Sequence, residues 1–453
     1  METSVPAWTL IPFGMMLMCI AIAPLFLEKS WEKNLNKLIV SLALGLPTAA
    51  YMIYIGLGEK VAHQLMFDYV PFIILLCSLF AVTGGIHLSG DIAAKPKINT
   101  LFLGIGYVLA SIMGTTGAAM LLIRPIIATN AQRKHKTHTI LFFIAAVANC
   151  GGLLTPLGDP PLFLLYLRGA EFTWFLNLLP EWAFVGALLL GIYFLVDTYY
   201  YKKENLADIK KDNTQKSPIR ISGNVNFLYL VGIVLSVAFI NPGTIPGMAD
   251  HDGYTANLVM KYLREIVLVL IILGSIFTTK KDIRIANNYS WSPIIEVAAL
   301  FLGIFITMTP ALLFLQEHAA SLGLDKPWQF YYATGALSSF LDNAPTALAF
   351  HSVASGLPES IAAANANIVD GLLNFNGNDV SFVARVPETL LKAISIGAVF
   401  FGAMTYIGNG PNFMVKAIAE ENKISMPSFF GYMIKFSLII LLPIYIITQL
   451  IFF

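Results

Sequence analysis

The sequence is poor in charged residues. Asp, Glu, Lys and Arg together make up 12% of the 453 residues, whereas 57% are hydrophobic. A soluble domain of ordinary composition contains about 25% charged residues, so this chain has about half the charge that a water-facing surface needs. The composition therefore excludes a soluble globular protein and predicts an integral membrane protein.

Neither sign of charge is in excess, and cysteine is rare. The 28 Lys and Arg residues nearly balance the 27 Asp and Glu residues, which gives a formal net charge of +1. This balance excludes a nucleic-acid-binding protein that works through a basic surface. The 3 cysteines, Cys19, Cys77 and Cys150, stand in apolar stretches and lack the pattern of a disulfide framework or a zinc site. Since His-Glu-x-x-His and Gly-x-Ser-x-Gly motifs are also missing, we expect neither an enzyme nor a bound cofactor.

The chain contains many long apolar runs. Runs of about 20 residues, enough for a helix to cross a hydrocarbon core of about 30 Å, predict a series of transmembrane segments. They lie near residues 8–27, 35–58, 69–88, 137–168, 174–200, 225–241, 261–278, 293–316, 388–420 and 428–452. No Lys or Arg precedes Lys29, so the first run lacks the basic start of a signal peptide, and we interpret it as an uncleaved helix.

Two further apolar stretches, 99–127 and 329–354, are interrupted in the middle. Gly-Thr-Thr-Gly at 114–117 interrupts the first, and Asp-Asn-Ala-Pro at 342–345 interrupts the second. We predict that both are re-entrant helical hairpins. Most Lys and Arg residues then fall on one side of the membrane, as expected for cytoplasmic loops. This scheme places the protein in the inner (cytoplasmic) membrane of a cell with both termini outside.

The chain divides into two similar halves. A Lys-rich polar segment at 201–224 predicts a cytoplasmic linker between a first repeat at 1–200 and a second at 225–453. In each half the hairpin is followed by a helix, at 137–168 and at 388–420, that a polar turn interrupts.

The two turns share a motif. The sequence Thr-Pro-Leu-Gly-Asp-Pro-Pro at 155–161 aligns with Thr-Tyr-Ile-Gly-Asn-Gly-Pro at 405–411. The charge pattern predicts that the two hairpins enter from opposite sides. The predicted fold is thus an all-α polytopic membrane protein of two inverted-topology repeats, with re-entrant hairpins and broken transmembrane helices, as in secondary transporters.

The aspartates in these interrupted elements point to cation chemistry. A broken backbone at membrane depth is tolerated only where it lines a cavity, and its freed carbonyls are available to a cation. Asp159 and Asp342 stand at the interruptions. A charged Asp at mid-membrane costs about 2.5–3.5 kcal/mol even on the lenient insertion scale. Two such residues indicate sites for a small cation or a proton.

These motifs resemble a known family. The stretch 155–161, and Ser-Ser-Phe-Leu-Asp-Asn-Ala-Pro-Thr at 338–346, resemble the signatures of the ion transporter superfamily. The resemblance is to its NhaD-type sodium/proton antiporters and to related citrate transporters. It implies a homodimer in the lipid bilayer, held by a scaffold domain, and an elevator-like movement of the transport domain.

The resemblance also implies a set of cation- and proton-binding residues. They are Asp342, Asn343 and Thr346 at the second hairpin tip, Thr155, Gly158 and Asp159 at the first break, and Thr405, Gly408 and Asn409 at the second break. Asp159 and Asp342 are the expected metal ligands, and Glu296 is a candidate proton-pathway group.

Glu388 and Lys392 are expected to neutralise one another, because they stand four residues apart on a helix.

Two functions fit this pattern. The leading hypothesis is a Na⁺(Li⁺)/H⁺ antiporter, in which Asp159 and Asp342 bind either the metal ion or protons. The alternative is a cation-coupled citrate or dicarboxylate transporter that holds its anion at helix N-termini. The Ser-Asn-Thr tips of dicarboxylate carriers are missing, which favours the antiporter. Arg124 is the one basic residue near a tip that could serve an anion.

Overall fold

The structure is a computed structural model that describes residues 5–31, 33–205, 217–250 and 254–453. The N-terminal residues 1–4 and the middle of the predicted linker, 206–216, lie outside the described residues.

The elements of the first half alternate between long helices and short turns. Their bounds are α1 Leu10–Phe26, α2 Glu28–Trp31, α3 Asn34–Tyr54, α4 Gly58–Gln64, α5 Val70–Thr83, β1 His87–Asp91, α6 Pro96–Met113, α7 Thr115–Thr129, α8 Thr137–Ala146, α9 Pro160–Leu167 and α10 Leu179–Tyr201.

The second half repeats this alternation and adds most of the strands. Its bounds are β2 Ser217–Ser222, α11 Val225–Phe239, α12 Leu258–Lys261, α13 Leu263–Thr278, α14 Lys281–Ala286, α15 Ser292–Glu317, α16 Pro327–Ser338, α17 Asn343–Ser355, α18 Pro358–Asn365, β3 Gly371–Phe375, β4 Asn378–Val383, β5 Val386–Pro387, α19 Glu388–Phe401, α20 Gly410–Glu421, α21 Phe429–Tyr432 and α22 Leu442–Phe452.

Seven helices of the described chain are long and apolar enough to cross a membrane. Counted together with the short 3₁₀ and π segments that adjoin the helices above, they are Asn34–Tyr54, Gly58–Thr83, Pro96–Met113, Thr137–Leu154, Phe172–Tyr201, Ser292–Glu317 and Phe429–Phe452. Shorter apolar helices, such as Val225–Phe239, stand between them. The predicted all-α polytopic membrane fold is confirmed.

Two small antiparallel sheets, which the sequence analysis did not predict, stand beside the helices. In one, β1 pairs with β2, and in the other β3, β4 and β5 follow one another. The turn between β3 and β4 is formed by Asn376 and Gly377, with φ of 51° and 84°. Asn-Gly is the preferred pair for a two-residue turn with positive φ at both positions, so this hairpin has a local cause.

The two helical hairpins point toward each other from opposite ends of α5. The first hairpin (α6–α7) packs against β1, which follows the end of α5. Just before the start of α5, Asp68 binds Arg168, which follows α9, at 2.8 Å. The second hairpin (α16–α17) has its base at that end, because His351 lies against the carbonyl of Ala384 and Ala384 packs on Gly169.

Candidate functional site

The first break (residues 147–159) and the second break (402–409) end in the same backbone conformation. Asp159 has φ −145° and ψ 143°, and Asn409 has φ −147° and ψ 141°. Proline stands in the first turn of the helix that follows each of them. Proline is favoured there because its missing N–H has no partner in a helix anyway, so each helix restarts where the motif predicts.

Two threonine hydroxyls fasten the breaks to the hairpins. Thr155 Oγ1 donates a hydrogen bond to the carbonyl oxygen of Ser111 in the first hairpin, and Thr405 Oγ1 donates to that of Ser339 in the second. Each threonine Oγ1 also accepts from the backbone amide two residues later, at 3.2 Å. The structure therefore places both threonines in turn-stabilising contacts.

Glycine is required in both breaks because the chain crosses itself closely. A Cβ atom on Gly158 would lie 1.9 Å from the carbonyl oxygen of Gly152, and one on Gly408 would lie 2.6 Å from that of Gly402. Atoms do not approach so closely without displacement of the backbone. The Gly158 carbonyl also accepts a hydrogen bond of 2.8 Å from the Thr115 amide, which fixes the first break to the first hairpin tip.

Asp159 is the point at which the two repeats meet. Its side chain is buried, with 1% of the residue surface exposed. Oδ1 accepts hydrogen bonds from Thr115 Oγ1 at 2.9 Å and from Asn409 Nδ2 at 3.0 Å. Oδ2 accepts one from Asn343 Nδ2 at 2.5 Å. The donors come from the first hairpin tip, the second break and the second hairpin tip, so one carboxylate connects all of these elements.

Asn343 has an unused acceptor beside this carboxylate. The residue is fully buried. Its Oδ1 has no hydrogen-bond partner within the described part of the chain. Buried polar atoms are nearly always paired, so this oxygen is a candidate to coordinate a cation or to accept a hydrogen bond.

Asp342 and Thr346 make hydrogen bonds that stabilise the start of α17. Asp342 is partly exposed, and its Oδ1 accepts from the Ala344 amide at 3.0 Å, which is a helix N-cap. Thr346 Oγ1 donates to the Asp342 carbonyl at 2.8 Å. The predicted site residues therefore separate into a group on Asp159, formed by Asn343 and Asn409, and a group that shapes the tip.

The structure adds two asparagines that the sequence analysis missed. Asn409 Nδ2 also lies 3.3 Å from Asn149 Oδ1, and Asn149 Nδ2 donates to Asn412 Oδ1 at 2.6 Å. Asn412 Nδ2 in turn donates to the carbonyls of Gly402 and Thr405. A signal was present in the sequence, because an amide in an apolar membrane segment needs a buried partner.

A cavity of about 100 Å³ lies beside Asp159. Its walls come from α5, the first hairpin tip, the first break, α9, the start of α15 and Met414 of α20. Thr115, Thr116 and Asp159 are its polar side chains, and Asp159 is the one charged residue among those that line it. Arg124 is not part of this lining.

The other charged candidates, Glu296, Glu388 and Lys392, each contact a residue of another element. Glu296 Oε1 lies 2.7 Å from Nζ of Lys37 on α3, and the Lys37 side chain is buried. The expected pairing of Glu388 with Lys392 is wrong. Lys392 Nζ lies 2.5 Å from Glu181 Oε1 on α10, and Glu388 accepts from Trp174 Nε1 at 2.9 Å. Both contacts bridge elements that are distant in sequence, and such pairing outweighs a local one when it neutralises a buried charge.

Two opposed helical hairpins that meet two broken helices form an arrangement typical of transporters. The chain matches, over residues 2–453, the family described as "Putative citrate transport", and it belongs to that family. A comparison with curated proteins gave no match.

Proposed function

We propose that the protein is a secondary active transporter that couples the movement of a citrate-class di- or tricarboxylate to that of Na⁺ or Li⁺. The family supports the carboxylate. The observation that carries the coupling is the position of Asp159, a buried carboxylate that receives donors from both hairpin tips and borders the cavity.

The cation has a physical task at this position. An ionised Asp159 repels a carboxylate substrate in the adjoining cavity, and the lining of this cavity has no Lys or Arg to offset that repulsion. Carboxylate, amide and hydroxyl oxygens are suitable ligands for a hard cation. A cation bound by Asp159 and Asn343 removes the repulsion, so each ligand increases the affinity for the other.

The substrate carboxylate then binds at the start of α7. Thr115, Thr116 and Gly117 form the first turn of this helix and line the cavity. Helix N-termini present amides and the positive end of the helix dipole to an anion. The Thr115 amide is bonded to the Gly158 carbonyl, so the proposal uses the amides of Thr116 and Gly117. The proposal thus assigns the anion to the first hairpin tip and the cation to the contact between Asp159 and the second hairpin tip.

A Na⁺(Li⁺)/H⁺ antiporter is the second candidate. It is favoured by the same cavity lining, whose one charged group is a carboxylate and which has no basic residue to pair with an organic anion. In this function a proton and a metal ion compete for Asp159, with Asp342 as a further ligand and Glu296 on the proton pathway. Both versions of the proposal include a homodimer, an elevator-like movement, a location in the inner membrane and termini on the outside.

Transport in proteoliposomes separates the two functions. Labelled citrate and succinate uptake is measured under inward gradients of NaCl, LiCl or KCl, and a lumenal pH dye is recorded in parallel. Citrate uptake that needs Na⁺ or Li⁺ supports the first proposal. Proton efflux driven by Na⁺ or Li⁺ without any carboxylate supports the second. If neither cation drives uptake or proton movement above the level of empty liposomes, both are wrong.

A further inference from the structure

We propose that the Asn343 side chain is a two-position switch that reports the occupancy of Asp159 to the second hairpin. Its amide nitrogen faces Asp159 when the cation site is empty, and its amide oxygen faces Asp159 when a cation is bound. The inference rests on the proposed cation site, whichever of the two transport functions uses it.

In the structure the amide nitrogen of Asn343 faces the carboxylate of Asp159. Asn343 Nδ2 donates to Asp159 Oδ2 at 2.5 Å, so the amide supplies the positive partner of the carboxylate. The amide oxygen is buried and unpaired within the described chain. An amide is a side chain that carries a donor and an acceptor on one planar group, and its last torsion angle has a broad two-fold profile. Rotation by about 180° exchanges the two atoms.

After rotation, two oxygens would face each other across the site. Asn343 Oδ1 and Asp159 Oδ2 repel one another unless a positive charge lies between them. Na⁺ or Li⁺ fills this role as an ion that both oxygens coordinate. Rotation is therefore favourable only when the carboxylate is occupied.

The other two donors to Asp159 are less free to move. Asn409 Nδ2 also lies 3.2 Å from the Ala148 carbonyl and 3.3 Å from Asn149 Oδ1, so its rotation would break contacts in the asparagine network. Thr115 has its backbone amide bonded to Gly158. Asn343 is the first residue of α17 and follows the capping Asp342. A change in its amide therefore acts directly on the tip of the second hairpin.

The titratable groups around the switch are few. Asp342 stands beside Asn343 at the same tip. The Cys150 thiol, within the first break, lies 3.4 Å from Tyr445 Oη. Two helices that pack against α17 carry charged residues: α15 carries Glu296 and Glu317, and α19 carries Glu388 and Lys392. Ion pairs hold Glu296 and Lys392, and Glu388 accepts a hydrogen bond from Trp174. His351 lies at the far end of α17 against a backbone carbonyl.

Cation binding at equilibrium tests the switch. Labelled Na⁺ binding, with Li⁺ as competitor, is measured on the purified full chain in detergent across a pH series. The variants are Asn343→Leu, Asn343→Asp and, as a matched control, Asn257→Asp at an exposed helix N-cap where either residue serves. Folding is checked by gel filtration. If Asn343→Leu does not fold, the nearly isosteric Asn343→Asp carries the test alone.

The expected results differ between the variants. Asn343→Leu lacks the amide oxygen and should bind Na⁺ about 10- to 100-fold more weakly at every pH. Asn343→Asp should bind more weakly than the wild type at low pH, where a proton is shared between two carboxyls, and more tightly at high pH. Asn257→Asp should match the wild type. If Asn343 served only in packing, the curves of Na⁺ affinity against pH for Asn343→Asp and for the wild type would not cross.

Failure of this inference is distinguishable from failure of the proposed function. If the wild type shows no saturable Na⁺ or Li⁺ binding, the proposed cation site itself is wrong. If the wild type binds and Asp159→Asn does not, but Asn343→Asp follows the wild-type curve at all pH values, the switch is overturned while the site stands.

Discussion

Asp159 accepts a hydrogen bond of 3.0 Å from Asn409, the residue that takes the same position in the second repeat. Both residues end a break in the same extended conformation and precede a proline-containing first turn. The two repeats thus contact each other through equivalent positions, but only one position bears a charge. This asymmetry provides one carboxylate where two identical repeats would have given two. We therefore expect one such cation site in each chain.

The role of Asp342 can be separated into a cap and a charge. Asn caps a helix as well as Asp does, whereas Ala at an N-cap costs about 0.5–2 kcal/mol. We expect Asp342→Asn to keep the thermal stability of the wild type but to lower the cation affinity about tenfold, by analogy with the loss of a metal-site partner. Asp342→Ala should lower both the thermal stability and the cation affinity. Thermal unfolding in detergent and Na⁺ dependence of transport are the measurements. Unchanged cation affinity in Asp342→Asn would limit this residue to capping.

The glycines of the breaks should tolerate no side chain. Gly158→Ala places a methyl group 1.9 Å from the Gly152 carbonyl oxygen, and Gly408→Ala places one 2.6 Å from that of Gly402. Overpacking of this kind destabilises by about 1–3 kcal/mol or more. Gly410→Ala is the control, because no atom lies within 4 Å of its added Cβ. Thermal unfolding of the three variants should rank Gly158→Ala lowest. Wild-type stability in that variant would contradict the tight crossing.

The opposed hairpins predict opposite labelling of their bases. Cysteines at Lys97 and Lys326, both exposed and each next to the start of a hairpin, are introduced after replacement of the three native cysteines. A membrane-impermeant maleimide should label position 97 from the cytoplasmic side and position 326 from outside. The tips are unsuitable for this measurement because Thr115 and Ala344 are buried. Labelling of both bases from one side would contradict the inverted arrangement.

Transport should depend on pH through competition at Asp159. A proton on this carboxyl removes the charge that holds the cation, so the apparent KM for Na⁺ should rise as pH falls. Below the midpoint of the titration the rise is up to about tenfold for each pH unit. Glu296→Gln should keep this slope, although it leaves Lys37 without its ion pair. A KM that does not change with pH would exclude proton competition at the cation site.

Local sequence features predicted the helices and their interruptions well. Apolar runs define membrane helices because the bilayer imposes a length and a composition. The Thr-x-x-Gly motif marks the breaks because glycine and proline act on the backbone of their own segment. The small sheets were missed because hydropathy does not detect them. The Asn-Gly pair at 376–377 was nevertheless a usable signal for one hairpin.

Contacts between distant segments could not be predicted from local features. Lys392 has an acidic residue four positions away in its own helix but pairs with Glu181 in the other half of the chain. Asn149 and Asn412 find each other across the two repeats in the same way. Such pairs depend on which helix faces pack together, and a single sequence without structure does not specify those faces.

The coupling of cation and carboxylate is tested most directly by citrate binding to the purified protein in NaCl and in choline chloride, for the wild type and Asp159→Asn. Because coupling between two ligands is reciprocal, Na⁺ should increase the affinity of the wild type for citrate about 10- to 100-fold. In Asp159→Asn the affinity should be the same in both salts. Citrate binding to the wild type that does not depend on Na⁺ or Li⁺, or Na⁺-dependent binding that persists in Asp159→Asn, would contradict a coupling cation at Asp159.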